Sequence, residues 1–542
     1  MFAKKIIYFL IVLFTVQAAR AQRPAVDTGK PEGKRLEIIN AERLNMQSID
    51  SLHNFTSLAG KAIVRQDKTI FYADSAVLNE IDNTLEAFGN VHINDEDSVH
   101  TYAQYLKYLG KEKKAFLKRK VRLTDGKGEL TTDELEYDVT LKIGTYLKGG
   151  KVTNKKTVLT STEGYYYGET RDVIFKRKVV LIDPEYKILT DTLQYNTATE
   201  IATFTSPTTI YSDSGRRTIK TRDGYFDLKN KKGFLYKRSV IEDKTYTFTA
   251  DDMAVDDSTK LAEFRGNAVY RGKDTAQGFD MIANNIKTDR KKDILLATLK
   301  PILLIKQGKD SILVTADTLY SARLSDLLKT RRVPVLRDTL KSNAVIDSTK
   351  SDSTNKFFEA YFNVRIFSDS LQAMGDSLFY SLQDSVFRLF KSPVVWAKEN
   401  QVTGDTIYLY IKNKKPERMY VFENAMAISK VDSSDYFNQL KGTTINALFD
   451  DGQIHFMRAK GNAENVYYGV DDQKKFIGVN KSTSDVIEVK FEDSKPQRVT
   501  FLRNLDGTTY PMRQVNHEEL KLRNFRWLDA IRPKSKYDIL AN

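Results

Sequence analysis

One pattern constrains this chain more than any other: a short Asp-centred unit that returns about every thirty residues, a period that belongs to stacked repeat architectures. The unit reads as a small residue or Thr, then Asp or a polar substitute, any residue, an apolar residue, any residue, and often an aromatic. Clear copies are Thr132-Asp133-Glu134-Leu135-Glu136-Tyr137 and Thr190-Asp191-Thr192-Leu193-Gln194-Tyr195, with shorter ones at Ala250-Asp251, Ala316-Asp317, Gly375-Asp376 and Gly404-Asp405. From Asp74 the steps to Gln104, Asp133, Glu163, Asp191, Asp223, Asp251, Asn284 and Asp317 are 30, 29, 30, 28, 32, 28, 33 and 33 residues. They continue as 59 to Asp376, 29 to Asp405 and 38 to Thr443.

About fifteen residues past each Asp comes a break of Gly, Asn, Pro or a basic residue, followed by alternating apolar residues. Examples are Gly89-Asn90-Val91-His92-Ile93, Pro207-Thr208-Thr209-Ile210 and Gly266-Asn267-Ala268-Val269. Polar turns such as Asn196 to Glu200 and Asp256 to Lys260 lie between the halves. Each unit therefore reads as strand, hairpin turn, strand, kink, strand. Leu193 and Tyr195 stand two apart and share one face, with Thr192 and Gln194 on the other. Such alternation suits an antiparallel sheet with one buried and one wetted face. Gly and Pro at the kink let the sheet fold over on itself at the same place in every unit. The expected architecture is all-β: a repetitive antiparallel β-jellyroll or folded-over open sheet forming a trough, as one run or as two stacked segments. The recurrent Asp is expected to serve turn chemistry.

Composition narrows the chemistry. With 41% hydrophobic residues, 28 Tyr, 29 Phe and 2 Trp in 542 residues, the chain is too apolar and aromatic to be disordered and favours strands. It has no Cys, which excludes disulfides, thiolate metal sites and Cys nucleophiles. Its five His are not spaced as a zinc or triad motif, and no phosphate loop, Gly-x-Ser-x-Gly elbow or His-Glu-x-x-His is present. Paired carboxylates (Asp251-Asp252, Asp450-Asp451, Asp471-Asp472) fall in or beside turns. No enzyme, cofactor or metal is expected.

Residues 1–21 read as a secretory signal peptide: Lys4 and Lys5, an apolar run from Ile6 to Val16, and Ala19-Arg20-Ala21 before a cut at Gln22. That run is too short to span about 30 Å of hydrocarbon. Loss of Lys4, Lys5 and Arg20 takes the formal charge from +14 to +11. Export argues against nucleic acid as the partner of this basic excess. The clusters Lys111 to Lys120 and Lys176 to Lys178 could meet anionic head groups, or could protect sheet edges and keep the chain soluble.

The expected organisation is a signal peptide (1–21), an N-terminal extension (22–58) joining the sheet near Ile63, and a first repeat domain (59–322). A linker or exposed loop (323–356), a second repeat domain (357–511) and a tail (512–542) follow, the tail holding a short helix from Asn516 with Asn516 and Glu519 as capping box.

The Ala/Thr-Asp-x-Leu-x-Tyr unit followed by Phe-x-Gly-Asn-Val/Ala, at Ala73 to Ile93, Thr190 to Ile210 and Thr249 to Tyr270, resembles the OstA-like family. These are periplasmic lipopolysaccharide-transport proteins of the LptA kind. The resemblance is good over 60–320 and weaker over 357–510. It implies a folded-over sheet whose inner face shields acyl chains, with units stacking end to end between membranes. On that reading the protein is periplasmic, cleaved after Ala21, with the outer membrane as a second place of association. It would bind lipopolysaccharide or a related acylated glycolipid and carry it toward the outer membrane. It would meet other envelope transport proteins by edge-strand pairing and touch membrane complexes peripherally. The chain leaves no room after its repeats for a transmembrane barrel.

Acyl chains cost about 0.8 kcal/mol per methylene in water, so a carrier needs a continuous apolar trough. Its lining is expected at Leu135, Tyr137, Val152, Leu193, Tyr195, Phe204, Ile210, Met253 and Val255, residues that ordinary core packing would equally place inside. Two other readings stand beside it. One is a structural or adhesive β-solenoid that binds protein partners and carries no lipid. The other is a polysaccharide-processing β-helix, which would show stacked carboxylates on one wall, and none are seen.

Overall fold

The computed structural model describes residues 35–50, 53–274, 278–307, 310–333, 355–412, 415–431, 434–471, 473, 475–492 and 495–540. The expected signal peptide and most of the expected linker lie outside them. The described chain is almost entirely antiparallel β-structure, and it divides into two compact units: residues 1–119 with 136–140, and residues 120–135 with 141–542.

In the first unit, strands Arg43–Asp50, His53–Gln66, Thr69–Asn79, Thr84–Asp95 and Val99–Leu109 pair in chain order, and Glu37–Asn40 joins His53–Gln66. The sheet thus begins well before Ile63. Arg43–Asp50 exposes Leu44 and Met46, so it has no buried face to impose the alternation by which a strand is recognised. Strands His53–Gln66 and Thr84–Asp95 are interrupted near their middles, at Gly60-Lys61 and Gly89-Asn90, where both residues take positive φ.

The second unit repeats this interruption and gives it a consequence. In strand Asp172–Ile182, residues 172–176 pair with Glu163–Tyr167 on one side and 192–196 on the other. After the left-handed pair Arg177-Lys178, residues 180–182 pair with a different neighbour, Thr157–Ser161. Every repeat thus gives two strands to each of two walls. Wall A runs through Ile201–Phe204, Asp223–Asp227, Lys232–Tyr236 and Asp252–Asp256. Wall B runs through Thr208–Ser212, Arg217–Thr221, Ser239–Glu242 and Tyr246–Ala250. Among the described residues the chain crosses between these walls along one side, the hinge. On the opposite side, the lip, hairpin turns such as 197–200 and 213–216 return each strand to its own wall.

The hinge conformation costs backbone energy, roughly 1–2 kcal/mol per left-handed non-Gly residue, and the sequence offsets it locally. At Gly266-Asn267 the glycine takes φ +69°, and a Cβ there would lie 2.7 Å from Asp251 Oδ2. Asn267 Nδ2 donates to that same carboxylate at 2.8 Å. Asp74, Asp251, Asp317 and Asp405 are hinge acceptors in this way, a structural role, whereas at Thr132-Asp133 and Thr190-Asp191 the Thr hydroxyl makes the hinge bond.

The strands on either side of 323–356 pair directly, Leu319 with Ala360 and Val314 with Ile366, so the two expected repeat segments share continuous ladders. Helix Leu324–Leu328 follows strand Thr318–Arg323 and packs Leu324 against Phe357 and Phe379. The expected helix at Asn516 is not formed; Asn516 Oδ1 instead accepts from the Glu518 amide in a turn. The short helix of the tail lies instead at Lys536–Leu540.

The segment 511–540 lies against the outer face of wall B. Gln401 donates to the Arg526 carbonyl and accepts from the Leu528 amide, each at 2.7 Å. Gln439 accepts from the Leu522 amide at 2.8 Å, and Gln372 accepts from Arg532. Leu520 and Leu522 cover Ile428, Val466 and Tyr468. Here wall B is buried on both faces, which explains the unbroken apolar run Val394-Val395-Trp396-Ala397.

Candidate functional site: the interior between two walls

The inner face of each wall is a row of directly opposed side chains. In wall B the row passes Leu130, Val152, Leu159, Leu181, Ile188, Ile210, Ile219, Ile241 and Phe248. It continues without a polar member through Tyr270, Met281, Leu303, Val314, Ile366, Ala373, Val395, Val402 and Ala427 to Leu440. In wall A, Phe175, Leu193 and Phe204 open a row that reaches Phe501 through Met253, Ile286, Leu319, Leu389 and Ile445. Fully burying one such side chain stabilises the fold by about 1.5–3 kcal/mol.

The structure turns the expected lining residues of this unit inward: Val152 and Ile210 in wall B, and Leu193, Tyr195, Phe204, Met253 and Val255 in wall A. Leu135 is also buried here, and Tyr137 is buried in the first unit. None of the nine exceeds 4% exposure, so the lining is closed, not accessible along its length. The reason is steric: Tyr and Phe reach far enough for facing side chains to fill the gap themselves. Thr192 is half-buried and Gln194 exposed on the other face.

Polar clasps hold the lip shut. Asn154 of wall B donates to the Tyr195 hydroxyl (3.1 Å) and the Thr197 carbonyl (2.8 Å) of wall A. Burial pushes the Tyr195 phenol up to about 12, so it is a neutral hydroxyl at any physiological pH. Lys155 pairs with Glu200 and Glu185 with Lys231, again across the lip. The strongest clasp centres on Asp257 of wall A. It accepts from Arg217 (2.6 Å) and the Tyr186 hydroxyl (3.0 Å) of wall B, and also from Arg290. Burial pushes this carboxyl up, but the Arg217 hydrogen bond and charge, with Arg290 and Tyr186, outweigh it and the net shift is down. The first unit carries like contacts: the Tyr137 hydroxyl donates to Asp95 (2.7 Å) and that of Tyr108 to Gln66 (2.5 Å).

Sequence reasoning missed this cluster. Asp256 caps its own turn through the Ser258 and Thr259 amides, which leaves Asp257 without a turn role; that surplus acid was the available signal. It also missed the pair His92 Nε2 and His100 Nδ1, 3.1 Å apart across adjacent strands of the first unit. In the basic cluster Lys176 to Lys178, Arg177 and Lys178 form a hinge pair, and Arg177 binds Glu163 at 2.7 Å. Among the described residues no group of three or more His, Asp or Glu could hold a metal ion, and no helix is long and apolar enough to cross a membrane.

Repeats, hinge and paired inner rows define a folded-over antiparallel β-repeat protein. Residues 34–191 match the family model described as OstA-like protein, so the chain carries an OstA-like domain. No curated protein matches. Among solved structures, the crystal structure of LptH from Pseudomonas aeruginosa is similar at 12% identity and a TM-score of 0.14, over 36% of this chain and 92% of LptH. LptH is described there as the LptA-homologous periplasmic component of the conserved lipopolysaccharide transport device.

Proposed function

We propose that this chain is an exported envelope protein that takes the acyl chains of lipopolysaccharide, or of a similar glycolipid, between its two walls and passes them toward the outer membrane. The observation that carries this reading is the unbroken apolar row of wall B, Leu130 to Leu440, facing an apolar row in wall A. The OstA-like domain at 34–191 and the leader-like start of the sequence support a periplasmic location. Loading requires the walls to part, because in the closed form their own side chains occupy the path. Each methylene that replaces a side-chain contact brings about 0.8 kcal/mol of its own burial, which offsets release of the lip clasps. Partners are other envelope transport proteins, met through edge strands such as Lys495–Leu502.

Photo-crosslinkers at Phe204 and Ile210 should capture lipopolysaccharide in cells, and those at Thr192 and Gln194 should not; equal capture on both faces rejects the reading. A thiol pair at Lys155→Cys and Glu200→Cys, joined by a short bis-maleimide, should reduce capture at Phe204 by locking the lip. The closed interior favours a second reading, a structural β-repeat that binds protein partners and carries no lipid. Native extracts free of lipid, with a stable protein partner, would select it.

A further inference from the structure

A second period runs inside the first. Tyr108, Tyr137, Tyr166 and Tyr195 follow one another at steps of 29 residues, and all four are buried. In the first unit the hydroxyls of Tyr108 and Tyr137 donate to Gln66 and Asp95; in the second, that of Tyr195 accepts from Asn154. Each time the partner stands 41 or 42 residues back in the chain. By that rule Tyr166 belongs to Asp125, and there the hydrogen bond is not made.

Tyr166 is fully buried and the Asp125 side chain is only 3% exposed, yet the Tyr166 hydroxyl and Asp125 Oδ2 both lack a hydrogen-bond partner among the described residues. Burial, with the Asp125 carboxylate nearby, pushes the Tyr166 phenol up and keeps it neutral. The cause is local. Asp125 Oδ1 accepts from the Lys127 amide (2.9 Å) and the Gly128 amide (2.8 Å), which draws the carboxylate into its own turn. The ion pair across this part of the lip is long as well. Arg171 Nε lies 3.9 Å from Asp125 Oδ2, whereas Lys155 and Glu200 are in direct contact at the next seam. In register with Asn154, wall B has Gly128, which brings no side chain to the seam.

We infer that the lip between Asp125 and Tyr166 is the gate at which the acyl chains of a glycolipid enter the second unit. This rests on the carrier reading above and deepens it. Parting the walls at Asn154 and Tyr195 breaks hydrogen bonds already made, and so does parting them at Asp257. Between Tyr166 and Asp125 there is no such bond to break. Opening here lets water reach a buried donor and a buried acceptor, both costly to keep unpaired. The balance favours this seam over its neighbours. Behind it stand Leu130 of wall B, two residues from Gly128 on the same face, and Phe175 of wall A, directly opposite Gly164. These are apolar side chains of the two inner rows, so a guest admitted here meets the lining at once.

The chain has no Cys, so an introduced pair carries spin labels at those two places alone. One pair, Lys127→Cys with Glu169→Cys, spans this seam; another, Lys156→Cys with Ala198→Cys, spans the Asn154–Tyr195 seam. In the full chain without lipid, double electron–electron resonance should show a second, longer distance for the first pair and a single one for the second. Asp125→Asn supplies an amide that can donate to Tyr166 as Asn154 does to Tyr195, and it should remove the longer distance. Equal distributions at the two seams, or a longer distance only at the second, overturn the gate. In cells, a photo-crosslinker at Phe175 should lose its capture of lipopolysaccharide when the first pair is joined by a short bis-maleimide, and keep it when the second is joined. Capture at Phe175 that neither lock changes, or that both reduce alike, overturns the gate and leaves the carrier reading standing. No capture at Phe175, Phe204 or Ile210 in the unlocked chain defeats the carrier reading itself.

Discussion

Asn267 Nδ2 donates to Asp251 Oδ2 at 2.8 Å, sixteen residues back in the chain, and thereby ties one hinge to the next. Asn90 and Asp74 repeat the bond in the first unit at 3.0 Å, and Asn424 with Asp405 at 2.9 Å and Asn504 with Asp485 at 3.2 Å repeat it in the second. Asn267→Ala should cost about 1 kcal/mol, because water can replace the exposed hydrogen bond but Ala tolerates the left-handed φ of 44° less well than Asn. Gly266→Ala should cost more than that, since it combines a positive φ with a collision on Asp251. Urea unfolding of the two variants checks the order.

Asp257→Asn should destabilise by about 3–5 kcal/mol, because it leaves Arg217 buried beside a neutral partner. The depressed carboxyl also fixes a pH dependence. An unfolded Asp titrates near about 3.9, so below that value the unfolded chain holds the proton more tightly than the folded one, and stability rises with pH through this window. The contribution is complete above the unfolded value and is lost as pH falls through the lowered folded one. Denaturation of wild type and Asp257→Asn between neutral pH and acid should show their difference shrinking at the acid end.

Gln401→Leu should cost about 1–3 kcal/mol for each backbone group it leaves unpaired, the Arg526 carbonyl and the Leu528 amide. Exposure of Ile428 and Val466 should follow, read as increased binding of a hydrophobic dye. Unchanged dye binding and stability would mean that the 511–540 segment is not held by this clamp.

Phe204→Ala should cost about 3–5 kcal/mol, and Gln194→Ala should stay within about 0.5 kcal/mol. Phe204 is fully buried and Gln194 exposed on neighbouring strands of one wall, so chemical denaturation of the two separates interior from exterior.

Much of the fold was legible because two periods coincide. Alternation placed Leu193, Tyr195 and Phe204 on one face, and the spacing of kinks at Gly89, Pro207 and Gly266 marked where the strands are interrupted. What stayed hidden depends on residues far apart in sequence. Gln401 meets Arg526 and Leu528 across more than a hundred residues, and nothing local to the tail announces that it will lie on a wall. The only hint was Val394 to Ala397, apolar on both faces where alternation was due. The closed interior was hidden for another reason: periodicity tells which way Tyr195 points, not how far the facing wall stands.

The two long sides of the second unit differ in kind. Along one, the polypeptide itself passes from wall to wall; along the other, among the described residues, nothing covalent does, and side-chain contacts such as those of Asn154, Lys155, Glu185 and Arg217 join them. A sealed barrel would have to tear main-chain ladders to admit a guest. Here a short stretch can be unbuttoned while every ladder within each wall stays intact. On the carrier reading proposed above, the energy of admission is then set repeat by repeat, like a row of snap fasteners instead of a single door.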